Sequence, residues 1–390
     1  MTASKKGTEL EPKEEDSLRL RADKGDIGVI ALSSFKEMGN KINAHIKAGR
    51  KITDENKTYL IPINETRFSN GEAKTRLPKS VRGREIFILC DVGNYSCTYN
   101  MCGYENHKSP DDHFQDLKRV ISAICGKAVS LTVVMPLVYA SRQDKRKGRE
   151  SLDCAIALQE LERMGVDRIV TFDIHDSRVQ NAVPLISFDN LYATYQIVTQ
   201  ILEDEKEVAI HNENLVIISP DAGGMDRALY YKSVLDADVS FFYKRRDTNR
   251  ICNGGNPIVA HEFVGQPVRD KNILIVDDMI GSGQSIIDIM RELKAQGAKK
   301  IFVAVTFSLF TLGTKIFDEC YKEGLFDKIY STNLTYLSPE LKNVEWFKEV
   351  DMAESLAKII DRLYHNRSIK PFVNATEALT KQIRQLREKS

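Results

Sequence analysis

Long apolar runs are missing from this chain of 390 residues. No stretch reaches the ~18 consecutive apolar residues that a membrane-spanning helix needs. The first residues, MTASKKGTELEPKEED, have no hydrophobic segment of the kind found in secretory signals. A surplus of one charge is also missing, because 56 Lys and Arg face 55 Asp and Glu, which gives a net charge of +1. We therefore expect neither a membrane span nor a nucleic-acid partner.

Cysteines are few, and their number is odd. Seven cysteines scattered through a long chain fit a reducing cytoplasm better than a disulfide framework, so we expect a cytoplasmic protein. Cys97, Cys102, His107 and His113 have the spacing C-x4-C-x4-H-x5-H. Structural zinc sites more often have two to four residues between their cysteines, so this pattern favours an irregular insertion over a zinc site.

The common nucleotide-binding loops are absent as well. The chain has no G-x-x-x-x-G-K-[ST] motif. The one stretch close to G-x-G-x-x-G begins at Gly281 and has Ile286 in its last position. A phosphate-binding loop in this chain must therefore be of another type.

Short apolar runs alternate with helix-length segments along most of the sequence. This alternation predicts an α/β fold with mostly parallel sheets flanked by helices. About ten candidate strands, in a chain of 390 residues, favour two domains. The strand candidates are residues 27–32, 58–63, 85–90, 131–135, 168–172, 215–219, 240–243, 273–276, 300–306 and 328–331.

The ends of the chain differ in composition from the middle. The first residues are charged and poor in apolar side chains, which is typical of a mobile tail. Leu379, Ile383 and Leu386 recur at helical spacing and predict a surface helix near the end. We divide the chain into a tail at 1–23, an N-terminal domain at 24–188 with an insertion at about 92–113, a C-terminal domain at 189–350 and a helical extension at 351–390.

Polar clusters follow directly on four of the apolar runs. Ligands of open parallel sheets bind at the carboxyl ends of strands, so four clusters at such ends indicate a site. The clusters are Asp173-Ile-His175, Ser219-Pro-Asp221, Lys244-Arg245-Arg246 and Asp277-Asp278.

The stretch ILIVDDMIGSGQSII, residues 273–287, combines a strand, two carboxylates, a glycine-rich loop and the start of a helix. Glycines let the backbone approach a ligand closely, and the N–H groups at a helix start attract phosphate. Asp277 and Asp278 would accept hydrogen bonds from sugar hydroxyls, so the pattern favours a phosphorylated pentose over an ordinary turn with solvated acids. The loop consists of Gly281, Ser282, Gly283, Gln284 and Ser285.

His175 and Asp221 are candidate magnesium ligands. Mg²⁺ usually takes one or two protein ligands together with waters and substrate phosphates, so an imidazole and a carboxylate from two strand ends would suffice. Asp173 is a third candidate, with a supporting role behind the ligands. The alternative is a hydrogen-bonded histidine in the core.

Two basic segments and one turn complete the candidates. Lys244 and Arg246 precede a Gly- and Asn-rich stretch, so they belong either to a solvated turn or to a loop that stabilises charge on transferring phosphates. Arg142, Gln143 and Asp144 lie in a segment that is either a solvated basic loop or a nucleotide site. Asn70-Gly71, within FSNGE at 68–72, is a strong turn signal.

Together these segments resemble the ribose-phosphate pyrophosphokinase family, also called phosphoribosyl pyrophosphate synthetases. The resemblance covers about 25–365, and the segments follow the family's order. They are FSNGE at 68–72, VRGREIFI at 81–88, RQDKRKGRE at 142–150, DIHDSRVQ at 173–180, FDNLYA at 188–193, SPDAGGMDRA at 219–228, YKRRD at 243–247 and VDDMIGSGQS at 276–285.

The resemblance implies two similar phosphoribosyltransferase-type domains and a homo-oligomer, a hexamer built of dimer units. It implies transfer of the β,γ-pyrophosphoryl group of Mg-ATP to ribose 5-phosphate. By this resemblance, Lys244 and Arg246 would be catalytic, and His175 and Asp221 would bind Mg²⁺. Asp277, Asp278 and the 281–285 loop would bind ribose 5-phosphate. ATP would be bound by Arg142, Gln143 and Asp144, and by Phe68, Asn70 and Glu72 of a neighbouring subunit.

The chain departs from the family pattern at the sugar-phosphate loop. Gly281 stands where the family usually has an acid, and Gln284-Ser285 looks more like a phosphoribosyltransferase. A phosphoribosyltransferase and a non-catalytic regulatory subunit are therefore kept as alternatives. A phosphoribosyltransferase needs no ATP site, so the segments that resemble one argue against it. Loss of Lys244 and Arg246 would favour a regulatory subunit, but both residues are present.

Overall fold

The computed structural model describes residues 26–146, 148–205, 212–246 and 258–388. Side chains at 244–246 are not described. The predicted mobile tail at 1–23 and the side chains of Lys244 and Arg246 therefore lie outside the described residues.

A parallel sheet of five strands forms the first half of the fold. Its strands are β1 (Asp26–Ala31), β4 (Arg84–Leu89), β7 (Ser130–Val134), β8 (Arg168–Phe172) and β9 (Ser187–Leu191). They lie side by side in the order β1-β4-β7-β8-β9, and each neighbouring pair is parallel. Val133 and Ile88 are fully buried, as expected for strands that helices cover on both faces.

A second sheet of seven strands follows. Its strands are β10 (Leu215–Ser219), β11 (Asp238–Arg246), β12 (Ile258–Val264), β13 (Asn272–Ile280), β14 (Lys300–Ser308), β15 (Lys328–Thr332) and β16 (Phe347–Val350). The order is β12-β11-β10-β13-β14-β15-β16, and only β11 and β12 pair antiparallel among these strands. The α/β fold with mostly parallel sheets is confirmed.

Helices cover the sheets in the described part of the chain. They are α1 (Lys36–Gly49), α2 (Pro110–Ile124), α3 (Asp153–Arg163), α4 (Thr194–Asp204), α5 (Met225–Leu235), α6 (Gln284–Ala295), α7 (Lys315–Lys322), α8 (Ala353–Tyr364), α9 (Lys370–Val373) and α10 (Thr376–Arg387). Helix α2 starts with a capping box between Ser109 and Asp112, in which each side chain accepts a hydrogen bond from the backbone N–H of the other residue. No described helix is long and apolar enough to cross a membrane.

The chain passes from one sheet to the other between Leu191 and Leu215. The division predicted after residue 188 falls inside β9, which pairs with β8. Strand β9 is half-exposed along most of its length, so it lacks the apolar run that marks β1, β4, β7 and β8 of the same sheet.

Two antiparallel hairpins project from the first half. One consists of β2 (Asn64–Arg67) and β3 (Ala73–Arg76), the other of β5 (Thr98–Met101) and β6 (Tyr104–His107). The second hairpin lies within the predicted insertion at 92–113. The zinc pattern is not assembled there, since no group of three or more His, Cys, Asp and Glu in the described ranges could hold a metal.

The two sheets share one core. A single cluster of buried apolar side chains contains Ile88 and Val133 of the first sheet together with Val276 and Tyr330 of the second. A second cluster covers the opposite face of the second sheet. The two halves are therefore packed directly against each other.

The helix at the end of the chain is part of this core. Leu379 and Ile383 of α10 are 0% and 2% exposed, and α10 packs against α4 and α5. The main-chain N–H of Ala375 also donates to the hydroxyl of Tyr230 at 2.8 Å. The predicted surface helix is present: one face is exposed, for example at Lys381, and its apolar stripe packs on α5.

Replacing Leu379 with Ala should lower the free energy of unfolding by about 2–5 kcal/mol, the usual cost of truncating a buried leucine. Urea denaturation followed by circular dichroism measures this change. Lys381→Ala is the matched control, because Lys381 is exposed on the same helix. Equal stability of Leu379→Ala and the wild type would contradict the buried position of α10.

Candidate active site

The carboxyl ends of β8, β10 and β13 open into one cavity of about 930 Å³. Strands β10 and β13 are parallel neighbours in the second sheet, so their carboxyl ends lie at one edge of that sheet. The end of β8, in the first sheet, meets them through the contact between His175 and Asp278. The predicted site residues on its wall are Arg142, His175, Asp221, Asp277, Asp278, Gly281, Ser282, Gly283 and Ser285. Three of the four predicted polar clusters thus contribute residues to one place, and the fourth begins next to Tyr243, which also lines the cavity.

The loop after β13 has the geometry of an anion cradle. Gly283 has a φ of 86°, and a Cβ there would lie 2.3 Å from the ring of Phe317. Only glycine satisfies both constraints. Helix α6 begins at the next residue, so its first N–H groups are at the cavity edge. Gln284 instead donates to Asp288 at 2.8 Å on the helix surface.

Arg227 is the residue that the sequence analysis missed. It lies in the first turn of α5, and its Nε donates to Asp173 at 2.9 Å. Another guanidinium nitrogen lies 3.5 Å from Asp277. Burial opposes the charge of Arg227, but the surrounding carboxylates raise its pKa. Three largely buried acids around one cavity need a cation, and that requirement is the signal that could have identified it.

Asp173 lies beneath the cavity floor. It is 6% exposed, and its two carboxylate oxygens bond to Arg227 and to the hydroxyl of Thr306, which donates at 2.6 Å. The residue has a φ of 44°, in the left-handed region. These contacts suit the supporting role expected for Asp173 rather than direct contact with a metal.

His175 and Asp278 form a pair across the two sheets. Nδ1 of His175 lies 2.9 Å from Asp278 Oδ2, and this hydrogen bond raises the pKa of His175. Burial opposes ionisation of Asp278, but His175 and Arg227 hold its pKa at about 2. Burial and the neighbouring Asp278 raise the pKa of Asp277 instead. Two adjacent carboxylates thus differ in their affinity for a proton.

The residues on the cavity wall fit a loosely held cation. No three described His, Cys, Asp or Glu residues form a metal cage, whereas His175 and Asp221 both line the cavity. Asp221 Oδ1 accepts the N–H groups of Gly223 and Gly224 at 2.9 and 3.2 Å, which fixes its orientation. Two such ligands suit Mg²⁺, which completes its coordination with water and substrate phosphate.

Arg142 connects this cavity with a second one. A neighbouring cavity of about 650 Å³ is lined by Arg142, Gln143, Met279 and apolar side chains, and Arg142 and Met279 line both. A Cβ at Gly281 would lie 3.1 Å from the Arg142 guanidinium. Glycine at 281 therefore lets a cation of the first half approach the loop of the second half.

The remaining predicted residues lie elsewhere. Phe68, Asn70 and Glu72 are on the turn of the β2–β3 hairpin, where Asn70 Oδ1 accepts the N–H of Glu72 at 3.1 Å. Neither described cavity includes them or Asp144.

Comparison with known protein families identifies both halves of the chain. A family model for the N-terminal domain of ribose phosphate pyrophosphokinase matches residues 27–165, and a model for the phosphoribosyl transferase domain matches residues 187–334. The chain belongs to the ribose-phosphate pyrophosphokinase family. It thus contains the two phosphoribosyltransferase-type domains of that family.

Individual relatives agree along nearly their full length. Ribose-phosphate pyrophosphokinase A of Dictyostelium discoideum is 29% identical over 87% of this chain and 100% of the relative. The Campylobacter jejuni ribose-phosphate pyrophosphokinase is 27% identical over 84% of this chain and 96% of its own. The crystal structure of phosphoribosylpyrophosphate synthetase from Mycobacterium smegmatis has the same fold, with a TM-score of 0.70, 23% identity and coverage of 87% and 99%.

Removing the Asp278 carboxylate should lower the pKa of His175. NMR titration of the imidazole should give a value above 6.5 in the wild type and a lower one in Asp278→Asn, with His175→Gln used to assign the signal. Because the folded-state pKa of His175 is raised, its contribution to stability is complete below about pH 6.5, as long as Asp278 is ionised, and is lost as the pH rises through the raised value. Identical His175 pKa values in the two proteins would contradict the pairing.

Arg227→Met should lower the free energy of unfolding by about 3–5 kcal/mol, because it leaves buried carboxylates without their cation. The control is Arg178→Met, since Arg178 lines the same cavity with a side chain that is 75% exposed. Urea denaturation measures both variants. A similar decrease in the free energy of unfolding of both variants would mean that the buried network of Arg227 stabilises the fold no more than an exposed arginine does.

Proposed function

We propose that this chain transfers the β,γ-pyrophosphoryl group of ATP to the C1 hydroxyl of ribose 5-phosphate. The new bond joins the C1 oxygen to the β-phosphorus. The bond from that phosphorus to the α–β bridging oxygen breaks, AMP leaves and the hydroxyl proton is released. The products are phosphoribosyl pyrophosphate and AMP. The observation that carries this proposal is the convergence of Asp277, Asp278, the 281–285 loop, His175 and Asp221 on one cavity.

The acceptor sugar occupies the β13 side of the cavity. The loop at 281–285 binds the 5-phosphate with main-chain N–H groups at the start of α6, where the helix dipole favours negative charge. Asp277 and Asp278 accept hydrogen bonds from the ribose hydroxyls. Arg142, close to Gly281, adds positive charge on this side.

ATP occupies the side formed by the first domain. Arg142, Gln143 and Asp144 bind it, and Phe68, Asn70 and Glu72 bind the adenine end from a neighbouring subunit of a homo-oligomer. Mg²⁺, held by His175 and Asp221, neutralises phosphate charge when it is bound. Phosphoryl-type transfer needs positioning and charge neutralisation more than covalent help from the protein.

Lys244 and Arg246 stabilise the transferring group. Their strand, β11, is hydrogen-bonded to β10, whose carboxyl end leads to Asp221 at the cavity. Tyr243, next to Lys244, lines that cavity. Cations at this strand end would stabilise the charge that develops between donor and acceptor.

Formation of AMP tests the proposal directly. The purified chain is incubated with ATP, Mg²⁺ and ribose 5-phosphate, and AMP is measured by chromatography. A phosphoribosyltransferase would form no AMP from ATP and ribose 5-phosphate and would instead consume phosphoribosyl pyrophosphate with a base. A non-catalytic regulatory subunit would do neither.

Lys244→Ala should lower kcat by about 100-fold or more, because preorganised charge at the transition state is worth this much. Coupled measurement of AMP formation gives kcat and KM for both substrates. Lys232→Ala, an exposed lysine on α5, should behave like the wild type. Unchanged turnover of Lys244→Ala would remove Lys244 from the catalytic residues.

A further inference from the structure

The β5–β6 hairpin lies against the turn that carries Phe68, Asn70 and Glu72. We call residues 98–107 the brace hairpin and residues 67–72 the Phe68 loop. The main-chain N–H of Cys102, at the tip of the brace hairpin, donates to the carbonyl oxygen of Ser69 at 2.7 Å. The insertion therefore contacts the Phe68 loop directly through its backbone.

The two segments also approach at a glycine. Gly71 has a φ of 89°, and a Cβ there would lie 2.7 Å from Met101 Sδ. The main-chain N–H of Gly71 donates to the Phe68 carbonyl at 2.9 Å, which closes the loop. Met101 thus packs on the one position of the loop that has no side chain.

Arg67 ties the loop to its surroundings. Its guanidinium donates to the Gly71 carbonyl at 3.1 Å and to Asp112 at 3.3 Å. The ring of Tyr99, on the brace hairpin, covers the guanidinium with its centroid 4.3 Å away. The Arg67 side chain is only 13% exposed, so the cation–π contact is largely shielded from water and correspondingly strong.

Asp116 on α2 connects the Phe68 loop with the base of the brace hairpin. Its carboxylate is 5% exposed and lies 3.5 Å from Arg67, 2.8 Å from Lys108 and 2.6 Å from Arg119. Lys108 directly follows the brace hairpin, and its N–H donates to the Cys97 carbonyl at 2.7 Å. The brace hairpin is thereby held at its base as well as at its tip.

We propose that the brace hairpin holds the Phe68 loop in the conformation that receives the adenine end of ATP, with Tyr99 as the main positioning residue. A two-stranded hairpin such as β2–β3 is marginally stable alone. Phe68 is 44% exposed and would have to be ordered when the nucleotide binds. If the brace hairpin already orders the loop, ATP binding does not have to supply the conformational entropy of ordering it. The inference rests on the proposed function.

Tyr99→Ala should raise KM for ATP about tenfold, in line with the loss of a shielded cation–π contact, and leave kcat and KM for ribose 5-phosphate unchanged. Tyr99→Phe keeps the ring and should behave like the wild type. Tyr104→Ala is the matched control, because Tyr104 is on the same hairpin and 75% exposed. If Tyr99→Ala does not fold, Tyr99→Leu replaces it in the same test, because leucine fills the space of the side chain but has no aromatic ring for the Arg67 guanidinium.

Hydrogen exchange gives a readout that does not depend on activity. Exchange of the Gly71 N–H should be faster in Tyr99→Ala than in the wild type and unchanged in Tyr104→Ala. A wild type that forms no AMP would defeat the proposed function and leave this readout intact. An active enzyme whose KM for ATP and loop exchange do not respond to Tyr99→Ala, or in which Tyr99→Phe is as impaired as Tyr99→Ala, would overturn the inference.

Discussion

One buried cation determines the geometry of the candidate site. Arg227 is bonded to Asp173, directly after β8, and lies 3.5 Å from Asp277 within β13, so it joins the two domains at the cavity floor. Carboxylates so close together could not all stay ionised in a buried cluster without it. Helix α5 presents Arg227, and α10 packs against α5. The helix at the end of the chain therefore supports the residue at the centre of the site.

The parts that the sequence predicted well are those whose signals are local. Strand β8 and strand β10 have the predicted bounds, because an apolar run buried on both faces is visible in any short window. The 281–285 loop follows its strand and opens α6 as expected. That strand ends of one sheet meet at one edge is a general property of parallel sheets, so the proximity of Asp221 and Asp277 was also predictable. His175 follows β8 of the first sheet and joins them only because the two sheets pack against each other.

The parts that were missed depend on contacts between distant residues. Nothing near Asp173 in sequence reveals that Thr306 and Arg227 occupy its oxygens. The apolar stripe of α10 shows a helix, but only packing shows that it is covered. The hairpin at 98–107 is polar and half-exposed, so its strands lack the apolar pattern that marks a sheet. The position of the Lys244 and Arg246 side chains stays a prediction.

The shared core couples the unfolding of the two domains. One continuous cluster of buried side chains runs from the first sheet into the second, and the ion pair between Arg50 and Asp361, 2.7 Å long, joins the same two halves at the surface. Neither domain can expose its inner face without exposing that of the other. Heating should therefore produce one cooperative calorimetric transition instead of two separate domain transitions. A substitution that destabilises one domain should also destabilise the other.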